Sequence, residues 1–119
     1  MQEIAAFGPP IISDEIYHGL VYGEKEHSIL EFTDNAFVLN GFSKIFAMTG
    51  WRLGYLIAPP AFIRPMQKVQ QNFFISAGSV SQWAGIAALR EAHEDVLRMR
   101  AVYDERRKYM IGQIGRAHV

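Results

Sequence analysis

The sequence has no cysteine. Disulfides and thiolate metal sites are therefore excluded. It has no excess of either charge, with 12 lysines and arginines against 12 aspartates and glutamates. That balance gives no electrostatic reason to expect a nucleic-acid partner or an anionic membrane surface. No apolar run reaches the length of a membrane span. The opening residues, MQEIAAFGPP, lack the basic start and long apolar centre of a signal peptide. Internal repeats and low-complexity tracts are lacking too. These absences leave a soluble, cytoplasmic protein as the expectation. Half of the 119 residues are hydrophobic, so a core can form.

The patterning predicts an α/β fold, with three strands followed by three helices. Residues 2–7 read as the end of a helix, stopped by Gly8, Pro9 and Pro10. Ile11–Tyr17 begins as a strand whose apolar start delivers Ser13, Asp14 and Glu15 to one end. In open α/β sheets, ligands sit at the carboxyl ends of strands. Gly19–Gly23 reads as a turn and Ser28–Phe32 as a helical turn. Ala36–Asn40 is an apolar run of strand length. Gly41–Gly50 reads as a loop with one helical turn at Lys44–Ala47. Trp51–Ala58 reads as the third strand, ended by Pro59 and Pro60. After it the spacing changes to threes and fours at Phe62, Ile63, Met66, Val69 and Phe73, which marks an amphipathic helix. Ile75–Gly78 interrupts it. Ser79 or Ser81 is expected to cap a second helix with Trp83, Ala84, Ala87 and Ala88 on its apolar side. A third runs from about Glu94 to Ile111, with Val96, Met99, Val102, Tyr103 and Met110 as apolar positions. Its basic residues are interleaved with Asp95, Asp104 and Glu105, as on a solvated face. Buried strands need helices on both faces of their sheet, and this pattern supplies too few. The layout therefore reads as part of a larger domain. The last six residues, IGRAHV, match a translated sequencing-library adapter and are expected to be a non-native tail, residues 114–119.

The chemistry concentrates in residues 41–55, GFSKIFAMTGWRLGY. Lys44 is the one lysine there, among Phe42, Ile45, Phe46 and Met48. Lysine is seldom placed in apolar surroundings without a task. Burial favours the neutral amine, the form that attacks an aldehyde. The alternative is a lysine snorkelling from a strand end. Lys25, Lys68 and Lys108 all sit in polar or amphipathic stretches. Arg52 offers a planar fork that can bind two phosphate oxygens at once. Inside an apolar strand it must find a partner, and a structural salt bridge would also serve. Upstream, Asp14 stands at the polar end of its strand, where a turn cap is the competing role. Glu15 is the neighbouring carboxylate. Side chains alternate along a strand, so only one of the two should face a site. Tyr17 follows Asp14 by three residues, and a tyrosine there can equally be a core or rim residue.

Taken together, DEIY and SKIFAMTGWRLGY resemble the cofactor half-site of the fold-type I pyridoxal-phosphate-dependent aminotransferases. The subgroup resembled is class I/II, bacterial aspartate and aromatic aminotransferase-like, and residues 11–91 carry the likeness. The resemblance implies that residues 1–113 are part of the large, cofactor-binding domain. It implies pyridoxal 5'-phosphate as cofactor, with Lys44 as the Schiff-base lysine and the shuttle for the substrate's α-proton. Asp14 would face the pyridine nitrogen and Tyr17 would donate to the ring's phenolate oxygen. Arg52 would anchor the phosphate, with Ser43 as a second phosphate ligand. The reaction implied is transamination between an amino acid and a 2-oxo acid, in a homodimer with sites built across the interface. There is one departure. Gly41 stands three residues before the lysine, where many members have a phosphate-binding serine. The family's glycine-rich phosphate turn, ring-stacking aromatic and substrate-binding arginine are not recognisable in these 119 residues. The chain by itself is therefore expected to be inactive. Two other readings stay open on the same fold: the ligand-sensing domain of a transcription regulator, and another fold-type I lyase or synthase.

Overall fold

A computed structural model describes residues 8–114. The helix expected at 2–7 lies outside the described residues, as does the tail beyond Ile114. Three strands form one sheet in the order β1-β2-β3: β1 Ile11–Asp14, β2 Ala36–Gly41 and β3 Gly54–Ile57. Three helices follow: α1 Pro60–Phe73, α2 Ser79–Glu91 and α3 His93–Ile114. This is the α/β layout expected from the sequence.

β1 and β2 are parallel, with Asp14 opposite Leu39, whereas β2 and β3 are antiparallel, with Gly41 opposite Gly54. The mixed pairing brings three chain ends to one edge of the sheet. β1 leaves there after Asp14, β2 leaves there at Gly41, and β3 begins there at Gly54. A parallel pair needs a long crossover. Residues 15–35 provide it with only a 3-10 turn at Ile29–Glu31. Ser28 caps that turn in a reciprocal box: its hydroxyl accepts from the Leu30 N–H, and Glu31 accepts from the Ser28 N–H. His27, and then the Ser28 N–H, hold the Glu31 carboxyl below its ordinary range. A lowered carboxyl stabilises above its unfolded value and loses that contribution as pH falls through the folded one. The Glu31 half of the cap thus weakens only in acid.

The interior has two small clusters. Ile29, Ala36 and Val38 form one, with Ile11 and Leu30 against it. Phe42, Met48 and Ala88 form the other, with Phe46, Leu53 and Ala84 against it. The second cluster sits directly beneath the lysine loop. It also corrects the expected apolar side of α2: Ala84, Gly85 and Ala88 face inward, while Trp83 is 71 % exposed. Gly85 is the reason the helix comes so close. A Cβ there would lie 2.6 Å from Leu53 Cδ2 and 3.3 Å from the Phe42 ring. Neither serine caps α2. Its N-cap is Gly78, and the Ser81 hydroxyl instead donates to the Trp51 carbonyl at 2.8 Å.

The third strand is shorter than the expected Trp51–Ala58. Thr49–Trp51 is a 3-10 turn, and Arg52 takes a left-handed conformation with φ 52°. An extended chain cannot run through such a residue, so β3 starts only at Gly54.

Gly19 joins the crossover to the lysine loop. Its φ is +92°, and a Cβ on it would fall 2.2 Å from Ile45 Cδ1. Gly19→Ala should therefore lower stability by about 1–3 kcal/mol in urea unfolding, from strained backbone and steric conflict together. Adding Ile45→Ala should remove the steric part and leave the backbone part. Full additivity of the two changes would mean that the residues do not touch.

Candidate active site

The sheet edge is built from its backbone outward. Phe42 leaves β2, and its carbonyl accepts from both Phe46 N–H (3.3 Å) and Met48 N–H (3.2 Å). These bonds, with Ala47 N–H to the Lys44 carbonyl at 3.2 Å, wind residues 43–47 into a tight turn. The helical turn expected there is thus a hydrogen-bonded turn. Ala47 has a left-handed φ of 52°, as does Arg52. Two non-glycine residues in that region within one loop mark stored backbone strain, of about 1–3 kcal/mol each, such as collects at functional loops.

Lys44 projects from this turn and is half-buried. Its Nζ lies 5.7 Å from the centroid of the Tyr17 ring. Tyr17 comes from the turn that follows β1, where His18 N–H donates to the Glu15 carbonyl and Leu20 N–H to the Tyr17 carbonyl. Gly19, seated on Ile45, fixes that turn against the lysine loop. The cation is within the range at which a ring face attracts it. Lys44, Tyr17 and Ser43 line one cavity of about 530 Å³, together with Leu20, Tyr22, Ala47, Thr49 and Tyr103. Its size is that of an ordinary small-molecule site.

Asp14 and Arg52 reach the same sheet edge but do not line that cavity. Asp14 lines a neighbouring one of about 340 Å³, and Tyr17 is the wall between the two. The expectation that Arg52 is buried in a strand is corrected. It is exposed, among the described residues it has no carboxylate partner, and its Nη1 donates to the Thr49 carbonyl at 3.1 Å. The left-handed backbone at Arg52 turns it out of the sheet. Thr49 ties the loop internally, its hydroxyl donating to the Ser43 carbonyl at 3.1 Å.

The two adjacent carboxylates have different surroundings. One oxygen of Glu15 accepts from the Ser13 hydroxyl (3.1 Å), the Ser28 hydroxyl (3.1 Å) and the Ile29 N–H (2.8 Å). Glu15 therefore holds the crossover to β1. Asp14 is exposed and accepts one local bond, from Ile16 N–H at 3.1 Å. Of the pair, Asp14 is the carboxylate left free for a ligand.

Several lining residues carried no signal in the sequence. Tyr22 lies in a turn-rich segment, and Tyr103 reads as one more apolar position on α3. Thr49 stands inside the quoted string, and only its loop bond gives it a role.

A family comparison now bears on the lysine at this edge. The family described as aminotransferase class I and II matches residues 2–118. The chain belongs to the class I and II aminotransferases. It is 46% identical over 107 residues to the (5-formylfuran-3-yl)methyl phosphate transaminase of Methanocaldococcus jannaschii, covering 87% of this chain and 29% of that protein. It is 40% identical over 108 residues to the aspartate aminotransferase of Pyrococcus horikoshii, covering 87% of this chain and 28% of that protein. The aspartate aminotransferase structure from Thermotoga maritima superposes with a TM-score of 0.90 at 31% identity, over 99% of this chain and 32% of that one. The aromatic aminotransferase structure from Pyrococcus horikoshii gives 0.89 at 35% identity, over 98% and 34%. The chain thus spans about a third of the length of the aminotransferases it matches. No described helix is long and apolar enough to cross a membrane.

The two carboxylates should separate in a stability measurement. Glu15→Ala should cost about 1–3 kcal/mol, because it leaves three donors without their acceptor. Asp14→Ala should change stability by about 0.5 kcal/mol or less, as for an exposed side chain with one local bond. Equal losses on urea unfolding would contradict this division of roles.

Proposed function

We propose that this chain carries the lysine half of a pyridoxal-phosphate site and that the protein transaminates between an amino acid and a 2-oxo acid. The observation that carries this reading is the Lys44 amine held 5.7 Å from the Tyr17 ring, in a cavity at the shared end of three strands. The donor set fits the group. An amine, a phenol and a hydroxyl line one space, from Lys44, Tyr17 and Ser43. A free carboxylate and an outward-turned guanidinium, from Asp14 and Arg52, stand at the same edge.

When bound, pyridoxal 5'-phosphate supplies an electron sink for the pair left behind when the substrate loses its α-proton. The chain's residues do the rest. Lys44 would hold the group through its amine and, as a free amine, would be the base that takes the substrate's α-proton and returns it to the adjacent carbon. Tyr17 would donate its O–H to the ring oxygen. Asp14 is the carboxylate that would favour a proton on the ring nitrogen. Arg52 and Ser43 would hold the phosphate, Arg52 through the guanidinium nitrogens that the Thr49 carbonyl leaves free. On the family resemblance, the reading extends to a homodimer in the cytoplasm.

Borohydride treatment of the full-length protein loaded with cofactor should fix the group on Lys44, as read by peptide mapping. Recovery on Lys25, Lys68 or Lys108 would sink the assignment. Lys44→Ala should abolish nearly all turnover and retain some non-covalent cofactor.

Asp14 and Arg52 should fail differently. Asp14→Ala should keep the cofactor and lose turnover. Arg52→Ala should weaken cofactor binding by about 2–4 kcal/mol, the loss of a bidentate charged contact. Equal effects on affinity and turnover in both variants would contradict the separate roles.

A further inference from the structure

The Lys44 cavity has a wall made by two tyrosines that the cofactor chemistry does not use. Tyr22 comes from the crossover and Tyr103 from α3. A basic residue of the same helix holds Tyr22. The Arg107 guanidinium carbon lies 5.1 Å from the centroid of the Tyr22 ring. That guanidinium is itself held in orientation. Its Nε and Nη2 both donate to Asp104 Oδ1, at 2.9 and 2.7 Å. Lys108 takes the other oxygen, Asp104 Oδ2, at 2.7 Å. Lys108 and Arg107, in that order, hold the Asp104 carboxyl below its ordinary range.

A simple surface ion pair would contribute little. This one has a geometric consequence. With both nitrogens fixed on Asp104, the guanidinium is held over the Tyr22 ring. A second, smaller space of about 210 Å³ lies between Val21–Gly23 and the helix residues Leu97, Arg100, Ala101 and Asp104. The crossover is thus not packed solidly on α3 at this level. The Arg107 cation is the contact that Tyr22 makes with the helix beside that gap.

We propose that Arg107, oriented by Asp104, is a positioning residue that holds Tyr22 as the outer wall of the Lys44 cavity. With Tyr103 on the same helix, α3 thereby sets the shape of the space in which an amino-acid side chain is received. The part of this inference that concerns substrate rests on the transaminase reading; the part that concerns Tyr22 does not.

The test uses the full-length protein and tetranitromethane, which nitrates accessible tyrosine rings. Tyr109, which is 70 % exposed, is the internal reference. Nitration of Tyr22 relative to Tyr109 should rise about two- to five-fold in Arg107→Ala, the scale of one exposed cation–ring contact. Asp104→Asn should raise it as well, and the double variant should go no further than Arg107→Ala alone. Arg107→Lys keeps a cation but not the fork, so it should restore part of the protection. In amino-acid turnover, Arg107→Ala should raise KM by a similar factor and leave kcat nearly unchanged. Unchanged Tyr22 nitration would overturn the proposal whatever the chemistry at Lys44. A fall in kcat at constant KM would also overturn it. If Tyr22 responds as expected while borohydride fixes nothing on Lys44, the wall stands and the transaminase reading falls.

Discussion

Gly41 and Gly54 face each other across β2 and β3 so closely that a side chain on either would press on the opposite backbone. A Cβ on Gly41 would lie 3.1 Å from the Leu53 carbonyl oxygen and 3.2 Å from Gly54 Cα; one on Gly54 would lie 3.2 Å from the Asn40 carbonyl oxygen. Contacts that tight force the neighbouring backbone to give way. The pair pins both ends of the loop 42–53, which carries Ser43, Lys44 and Arg52. It also gives a steric reason for glycine at position 41. A hydroxymethyl group at that position would push on the backbone that sets the loop.

With its ends pinned, the loop is shaped by what lies under and beside it. Phe42 and Met48 fill the cluster beneath, and α2 approaches them only because position 85 is glycine. Ile45 fills the space left by Gly19, so the turn carrying Tyr17 is seated on the loop carrying Lys44. This is why Tyr17 and Lys44 share a cavity. Asp14 and Arg52 have no such mutual contact. They arrive at the edge through strand register, Asp14 at the end of β1 and Arg52 just before β3. Register brings them to one side of the molecule. It does not bring their side chains together.

That difference decides what could be read from the sequence. The strands and helices were legible because their apolar periods of two and three-to-four are strong local signals. Lys44 was legible because a single cation in an apolar string is conspicuous, and the string matched a known family. The third strand was read too long. WRLGYLIA looks extended by composition, and nothing local reveals that Arg52 takes φ 52°. The cap of α2 was misread because Ser81 looks like a cap, whereas its hydroxyl is taken by the Trp51 carbonyl from a distant turn. Trp83 and Ala87 belong to the apolar side that the pattern predicts but are exposed, and the close contact belongs to Gly85. Tyr22 and Tyr103 were invisible for the same reason. Their meeting at Lys44 depends on how α3 lies against the crossover, and periodicity within one helix cannot carry that.

The surface continues the same physics. Phe73, Phe74 and Ile75 are 75, 70 and 97 % exposed, and Val80 and Trp83 nearby are 73 and 71 % exposed. Burying one large side chain contributes about 1.5–3 kcal/mol, so a run of five left in water is a substantial driving force for contact. The residues around the lysine loop show the opposite pattern. Phe42 and Met48 are buried beneath it, and no buried polar side-chain atom among the described residues lacks a partner. The lysine loop is therefore set by contacts within residues 8–114. The apolar face at the end of α1 is not. α1 meets the sheet through Phe62, whose ring centroid lies 5.1 Å from that of Phe37 on β2, and α2 meets the lysine loop through the Gly85 contact and the Ser81 bond to Trp51. The two α2 contacts reach Trp51, Leu53 and Phe42, so they bracket Arg52 and touch the start of the lysine loop.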